Sequence, residues 1–168
     1  LQALKILPGI VSTSDVSSRF YVRGGAGDQN LFFFDGIRIY NPFHALGIFS
    51  VFYPNVAATA EIYTGAFPPG FGGRLSSVVN IMTRDGRADK ISARTNVNLL
   101  SMEAEVEGPA IANSSWFLDV RKSFSSRTFS KIIGEDIPVS FYDGTFKMSV
   151  QPSGVQKFNL TVLSSGDN

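Results

Sequence analysis

Cysteine is absent from this 168-residue chain, which removes disulfides, thiolate nucleophiles and cysteine metal sites together. Histidine occurs once, at His44. With no Gly-x-Ser-x-Gly elbow and no framed serine, that histidine has no nucleophile to activate, and no His/Asp/Glu cluster offers metal-ligand spacing. An excess of one charge is also missing. Lys and Arg number 15 against 14 Asp and Glu, so there is no broad basic footprint for nucleic acid. No run of eighteen apolar residues occurs, which excludes a membrane-spanning helix. A membrane β-barrel is not excluded, because its alternating strands average near zero, as the mean hydropathy of +0.08 does here.

What is present falls into two halves with different patterning. Sixteen glycines and eight prolines concentrate before about residue 86. There they close short apolar runs at Phe20-Tyr21-Val22, Leu31–Phe34, Glu61-Ile62-Tyr63 and Val78–Met82, as expected of buried strands in a compact mixed sheet. Short helices are expected at Leu1–Leu7, stopped by Pro8-Gly9, and near Ile48–Tyr53, closed by Pro54-Asn55.

From about Lys90 the pattern becomes long alternation. Ile91, Ala93, Thr95, Val97 and Leu99 alternate with polar residues. So do Met102, Ala104 and Val106, then Trp116, Leu118 and Val120, then Tyr142, Gly144, Phe146, Met148 and Val150, and last Phe158, Leu160 and Val162. Segments of about nine residues with one apolar and one polar face suit tilted membrane-barrel strands. They would equally serve an amphipathic soluble sandwich. Whole charges such as Arg94, Glu103, Glu105, Glu107, Lys147 and Lys157 gather on the polar faces. The connections around Gly108–Ser115 and Pro152-Ser153-Gly154 are short, and Phe124–Ser140 is long, as in barrels with short turns at one end.

Several candidate chemistries can be weighed on the residues themselves. Gly24-Gly25-Ala26-Gly27 invites a phosphate-loop reading, yet a strand at Leu31–Phe34 follows where a helix N-terminus is needed. A turn between two strands is the simpler account. Asp35 and Glu61 have the chemistry of an acid/base pair, but Asp35-Gly36 is first a turn signal. Arg23 ends an apolar strand, and Arg74 sits in Phe71-Gly72-Gly73-Arg74-Leu75. In crowded, dry surroundings an unpaired charge costs several kcal/mol, so both need carboxylate partners. Partners on another element would make them electrostatic latches.

The succession Leu7-Pro8-Gly9-Ile10, Val22-Arg23-Gly24-Gly25, Asp28-Gln29-Asn30-Leu31, Phe34-Asp35-Gly36-Ile37, Tyr40-Asn41-Pro42-Phe43-His44, Glu61-Ile62-Tyr63-Thr64-Gly65 and Phe71-Gly72-Gly73-Arg74-Leu75-Ser76-Ser77-Val78-Val79-Asn80-Ile81 resembles the plug domain of TonB-dependent outer-membrane receptors. It is most similar to the subgroup with a carboxypeptidase-regulatory-like domain ahead of the plug. Leu99–Pro109 and Trp116–Phe124 resemble that subgroup's first barrel strands. The resemblance implies an α+β plug, a small mixed sheet with short helices, over residues 1–86. Residues 87–168 then supply the first strands, about five, of an antiparallel transmembrane barrel of about twenty-two strands.

The implied function is TonB-dependent uptake of a scarce nutrient, an iron chelate, a cobalamin, or a glycan or peptide fragment, across the outer membrane of a Gram-negative bacterium. The plug gates the lumen, and no enzyme activity, cofactor or metal is implied. The implied partners are TonB with its inner-membrane energising complex, outer-membrane lipid, and the small nutrient ligand, alone or with a surface lipoprotein. The TonB box and the signal peptide are expected upstream of Leu1, which is not an initiator Met. By the resemblance Arg23 is a plug–barrel latch, with Glu61 and Arg74 in the same role. Gly24, Gly25, Asp35, Gly36, Gly65, Gly72 and Gly73 mark the plug's turns, and Tyr40, Asn41, Phe43 and His44 form a substrate-facing apical loop with Ser12–Ser17. Thr64 stands where the family usually has Arg or Lys, and Arg74 is the expected substitute. The competing readings are a soluble β-rich binding or adhesion module and, behind it, an enzyme.

Overall fold

The computed structural model describes residues 10–11, 18–44, 47, 49–52, 54–71, 73, 76–98, 100–111, 113–124 and 140–167. The chain divides into two compact units, Leu1–Arg84 and Asp85–Asn168.

In the first unit β1 (Ile10–Val11) pairs antiparallel with β2 (Tyr21–Val22). A single turn of 3-10 helix, Gly27–Gln29, leads into β3 (Asn30–Phe34), followed by β4 (Ile37–Ile39), β5 (Phe43–His44), β6 (Phe49–Ser50), β7 (Ala57–Tyr63) and β8 (Ser77–Thr83). The main sheet runs β4-β3-β8-β7. Its central pair, β3 with β8, is parallel, and both flanking pairs are antiparallel.

Burial explains why the central strands read as continuous apolar runs and not as alternation. Leu31, Phe32 and Phe34 of β3 and Val78, Val79 and Ile81 of β8 are all buried. Phe32 is the hub of one aromatic cluster, with ring centroids 5.8 Å from Phe20, 5.7 Å from Phe43 and 6.2 Å from Phe52. Phe33 points the other way, 5.1 Å from Phe71, which in turn lies 5.6 Å from Tyr63. Edge-to-face and offset contacts of this kind add about 1 kcal/mol each beyond the area they bury.

Two expectations about helices meet different outcomes. Residues 1–7 lie outside the described residues. The helix expected at Ile48–Tyr53 is corrected: Phe49–Ser50 form β6, paired with β5 through Phe43↔Ser50 and His44↔Phe49. The apolar run Ile48-Phe49-Ser50-Val51-Phe52 carries no period of its own, and packing of Phe52 on Phe32 and Phe34 decides it in favour of extended chain.

The second unit is a five-stranded antiparallel meander of β9 (Ser92–Val97), β10 (Ser101–Pro109), β11 (Ser114–Ser123), β12 (Phe141–Val150) and β13 (Phe158–Asp167), in spatial order β13-β12-β11-β10-β9. Its faces are inverted relative to a soluble sheet. The carboxylates Glu103, Glu105, Glu107, Asp119 and Asp143 and the ammonium of Lys147 are buried. Met102, Val106, Leu118, Val120, Tyr142, Leu160 and Val162 are exposed, Val162 to 50%. Buried charges must be paired. Arg121, opposite Asp143 in the register, donates from Nε to Asp143 Oδ2 at 2.9 Å and stacks 5.0 Å over the Phe141 ring. Arg94 stands opposite Glu105 at 3.7 Å.

Candidate functional site

The opening of the first unit's site is a pair of glycine-assisted reversals. Val22 C=O accepts from Gly25 N at 2.9 Å, and the two residues between, Arg23 and Gly24, have φ of 49° and 76°. Positive φ at both central positions is the type I′ pattern. Phe34 and Ile37 face each other across Asp35 and Gly36, with φ of 49° and 80°, which makes the expected Asp-Gly hairpin. Gly25 is required for a different reason: a Cβ there would lie 1.6 Å from Ser76 Oγ.

The glycine loop is stitched to β3 and β8 by two neutral side chains of the Asp28-Gln29-Asn30-Leu31 stretch. Asn30 Nδ2 donates to the Phe20 carbonyl at 2.9 Å and to the Gly27 carbonyl at 3.3 Å, while its Oδ1 accepts from Ser77 Oγ at 2.7 Å. Gln29 Oε1 accepts from Ala26 N at 3.2 Å and from Ser76 Oγ at 3.0 Å. The Asn30 and Gln29 side chains are thus consumed in holding the loop's shape, and a strand, not a helix that could hold an anion, follows the loop.

Asp35 is likewise committed. Its carboxylate accepts from the Thr83 amide at 2.7 Å and from the Thr83 hydroxyl, and its own amide donates to the Ile81 carbonyl at 2.9 Å. Glu61, on the exposed edge strand β7, accepts from Tyr63 Oη at 3.0 Å and from Asn80 Nδ2 at 3.4 Å. The Tyr63 hydroxyl is pushed above the usual phenol value, chiefly by that hydrogen bond. The two carboxylates thus have separate partners and structural duties.

Between the glycine loop and the Tyr40–Phe43 loop lies a cleft of about 530 Å³, lined by residues including Arg19, Tyr21, Asp28, Tyr40, Asn41 and Phe43. Tyr40 is 87% exposed at its mouth, and Asn41 is also exposed. Phe43 is half-buried and forms one wall, its ring set against Phe32. His44 lies inside at 2% exposure, so of the four residues expected on this loop three border the cleft and the histidine faces inward. Ser12–Ser17 lie outside the described residues. Arg19, Tyr21 of β2 and Asp28 of the 3-10 turn complete the lining, a role that the sequence does not assign to them.

Arg23 is exposed, and its Nη1 lies against Gly65, where a Cβ would come within 2.9 Å. Thr64 and Gly65 line a shallow recess with Arg23. Gly73 is exposed, whereas Gly72 and Arg74 lie outside the described residues.

In the second unit, residues 85–89 are laced to the strands. Asp85 Oδ1 accepts from Ser149 Oγ at 2.7 Å, with Lys147 Nζ at 3.5 Å, and Oδ2 accepts from Lys157 Nζ. Burial works to raise the Asp85 carboxyl, but the bonds from Lys157 and Ser149 win and hold it below the usual range. Gly86 is required here, since a Cβ would fall 2.2 Å from the Trp116 carbonyl oxygen. Arg87 N donates to Glu107 Oε2 at 3.2 Å. The Arg87 guanidinium, bonded to Asp89 at 2.9 and 2.8 Å, draws that carboxyl down to about 2.

No curated protein matches the chain. Residues 1–79, which carry the glycine loop, the Asp35 hairpin and the cleft, match the family model of the TonB-dependent Receptor Plug Domain.

Proposed function

We propose that the chain is the plug and the first five barrel strands of a TonB-dependent transporter that brings a scarce nutrient across the outer membrane of a Gram-negative bacterium. The observation that carries the reading is the inverted five-stranded meander directly after the plug match. Glu103, Glu105, Glu107, Asp119, Asp143 and Lys147 are buried on one face, while Met102, Val106, Leu118, Val120, Leu160 and Val162 are exposed on the other. A charge on a lipid-facing barrel position costs on the order of 2–4 kcal/mol at mid-bilayer, while an aliphatic side chain there costs nothing. In a soluble sandwich a second sheet would cover that apolar face, whereas here Met102, Leu118, Val120, Leu160 and Val162 are exposed, which disfavours the alternative.

In this reading residues 1–86 gate the lumen, and residues from 87 on begin a barrel of about twenty-two strands. The subgroup is the one with a carboxypeptidase-regulatory-like domain ahead of the plug. The ligand enters the cleft edged by Tyr40, Asn41 and Phe43. An exposed phenol, an amide and the charges of Arg19 and Asp28 suit a ligand with a flat face and several hydroxyl or amide groups. Arg23 latches the seated plug through a charge-assisted pair with a barrel acid. TonB and its inner-membrane complex supply the work that displaces the plug, and no step of the cycle is a chemical reaction of the nutrient.

The test is accumulation of candidate nutrients by cells carrying the full receptor, measured with TonB present and with TonB removed. Uptake that disappears with TonB supports the proposal. Equal uptake in both strains would overturn it.

A further inference from the structure

The exposed face of the meander is not uniform. Across four strands the register places Ala104, Val120, Gly144 and Ser164 side by side. The next row toward the Phe124–Ser140 connection is Met102, Lys122, Tyr142 and Gly166, and the next row the other way is Val106, Leu118, Phe146 and Val162. The low row, with Met102, Lys122 and Tyr142 standing above it on one side, borders a trough of about 370 Å³ that Arg121 and Asp143 also line.

Gly144 is the feature that asks for a reason. A glycine inside a strand weakens it and often marks a place where another molecule comes close. Its backbone does not need it, because a Cβ would meet nothing nearer than 3.9 Å. Tyr142 lies over Gly166, where a Cβ would be 2.9 Å from the ring and from the hydroxyl, so the glycine makes room for the tyrosine as a wall of the trough. Lys122, exposed beside it, is the single charged residue in the three rows.

We propose that this trough seats an acyl chain of a phosphate-bearing glycolipid of the outer leaflet, with Lys122 and the Tyr142 hydroxyl on the phosphate. The inference rests on the membrane-barrel reading above. The rim lies at the end of β11 and β12 joined by the long connection, and in barrels the longer connections face outward. Tyrosine and a snorkelling lysine belong at that interface. A cation at the mouth of an apolar trough fits an anionic headgroup, and the carboxylate that lines the trough, Asp143, is buried and bonded to Arg121.

The test is native mass spectrometry of the full receptor extracted from its own outer membrane, comparing wild type with Lys122→Glu and with Gly144→Leu. The leucine fills the trough without a backbone clash and keeps an apolar outward residue, so heat-modifiable migration on gels should show a folded barrel. We expect wild type to retain glycolipid and each variant to retain about tenfold less, the loss of one charge-assisted contact or of the seat itself. Retention of phospholipid in place of glycolipid, equal glycolipid retention by all three proteins, or none by wild type would overturn the inference while leaving transport standing. Recovery of the receptor from outside the outer membrane would overturn both.

Discussion

Asp35 occupies a turn position with φ of 49° and uses its carboxylate to hold Thr83, forty-eight residues further along. Its turn role is readable from Asp-Gly alone, but its bond to Thr83 is not, because nothing in the local sequence says that β8 ends beside that hairpin. Asp35→Ala removes two bonds to a charged group and places alanine at positive φ, a loss of about 3 kcal/mol. Amide exchange at Thr83 should speed up accordingly, and unchanged protection would contradict the assignment. Tyr40 behaves differently, since at 87% exposure it supports nothing in the fold. Tyr40→Ala should weaken ligand binding about tenfold with thermal stability intact, by calorimetry on the full receptor. Phe43 and His44 make poorer probes, as replacing either also disturbs buried packing.

At the scale of elements, the strands of the second unit were readable because a period of two repeats over about ten residues with charges on one face. Phe49–Ser50 form a strand where a helix is expected over Ile48–Tyr53, because a short apolar stretch looks alike in helix and strand until its packing partners are known. The segment Asp85-Gly86-Arg87 carries one local signal, a glycine between charged residues just past a strand. Its Asp85 bonds give it a pH signature. The folded carboxyl sits below the usual value of about 4, so its contribution is fully present above that value and is lost as pH falls through the lowered one. Residues 85–89 should gain exchange and protease sensitivity on acidification, more steeply in wild type than in Asp85→Asn. Identical acid profiles for the two proteins would rule the bonds unimportant.

For the whole molecule, the order of plug-like motifs carried the function reading, whereas the cleft did not emerge from the sequence. Its walls come from loops twenty residues apart that only the Phe20–Phe32–Phe43 cluster brings together. The same scale governs Arg23. Its guanidinium lies on Gly65 inside the first unit, and its proposed latch partner belongs to the barrel. Arg23→Ala in the full receptor should leave insertion normal and raise entry of large antibiotics, read as a lowered inhibitory concentration. Correct insertion with no change in sensitivity would remove the latch.

The parallel pairing of β3 with β8 has a consequence for synthesis. The central strand Leu31–Phe34 meets its inner neighbour only when Ser77–Ile81 has left the ribosome, forty-seven residues later. Until then an apolar strand stands with one edge unpaired, at a translation rate that makes the interval several seconds. A holdase that keeps the nascent chain extended would therefore bind first around Leu31–Phe34, and release would follow completion of β8.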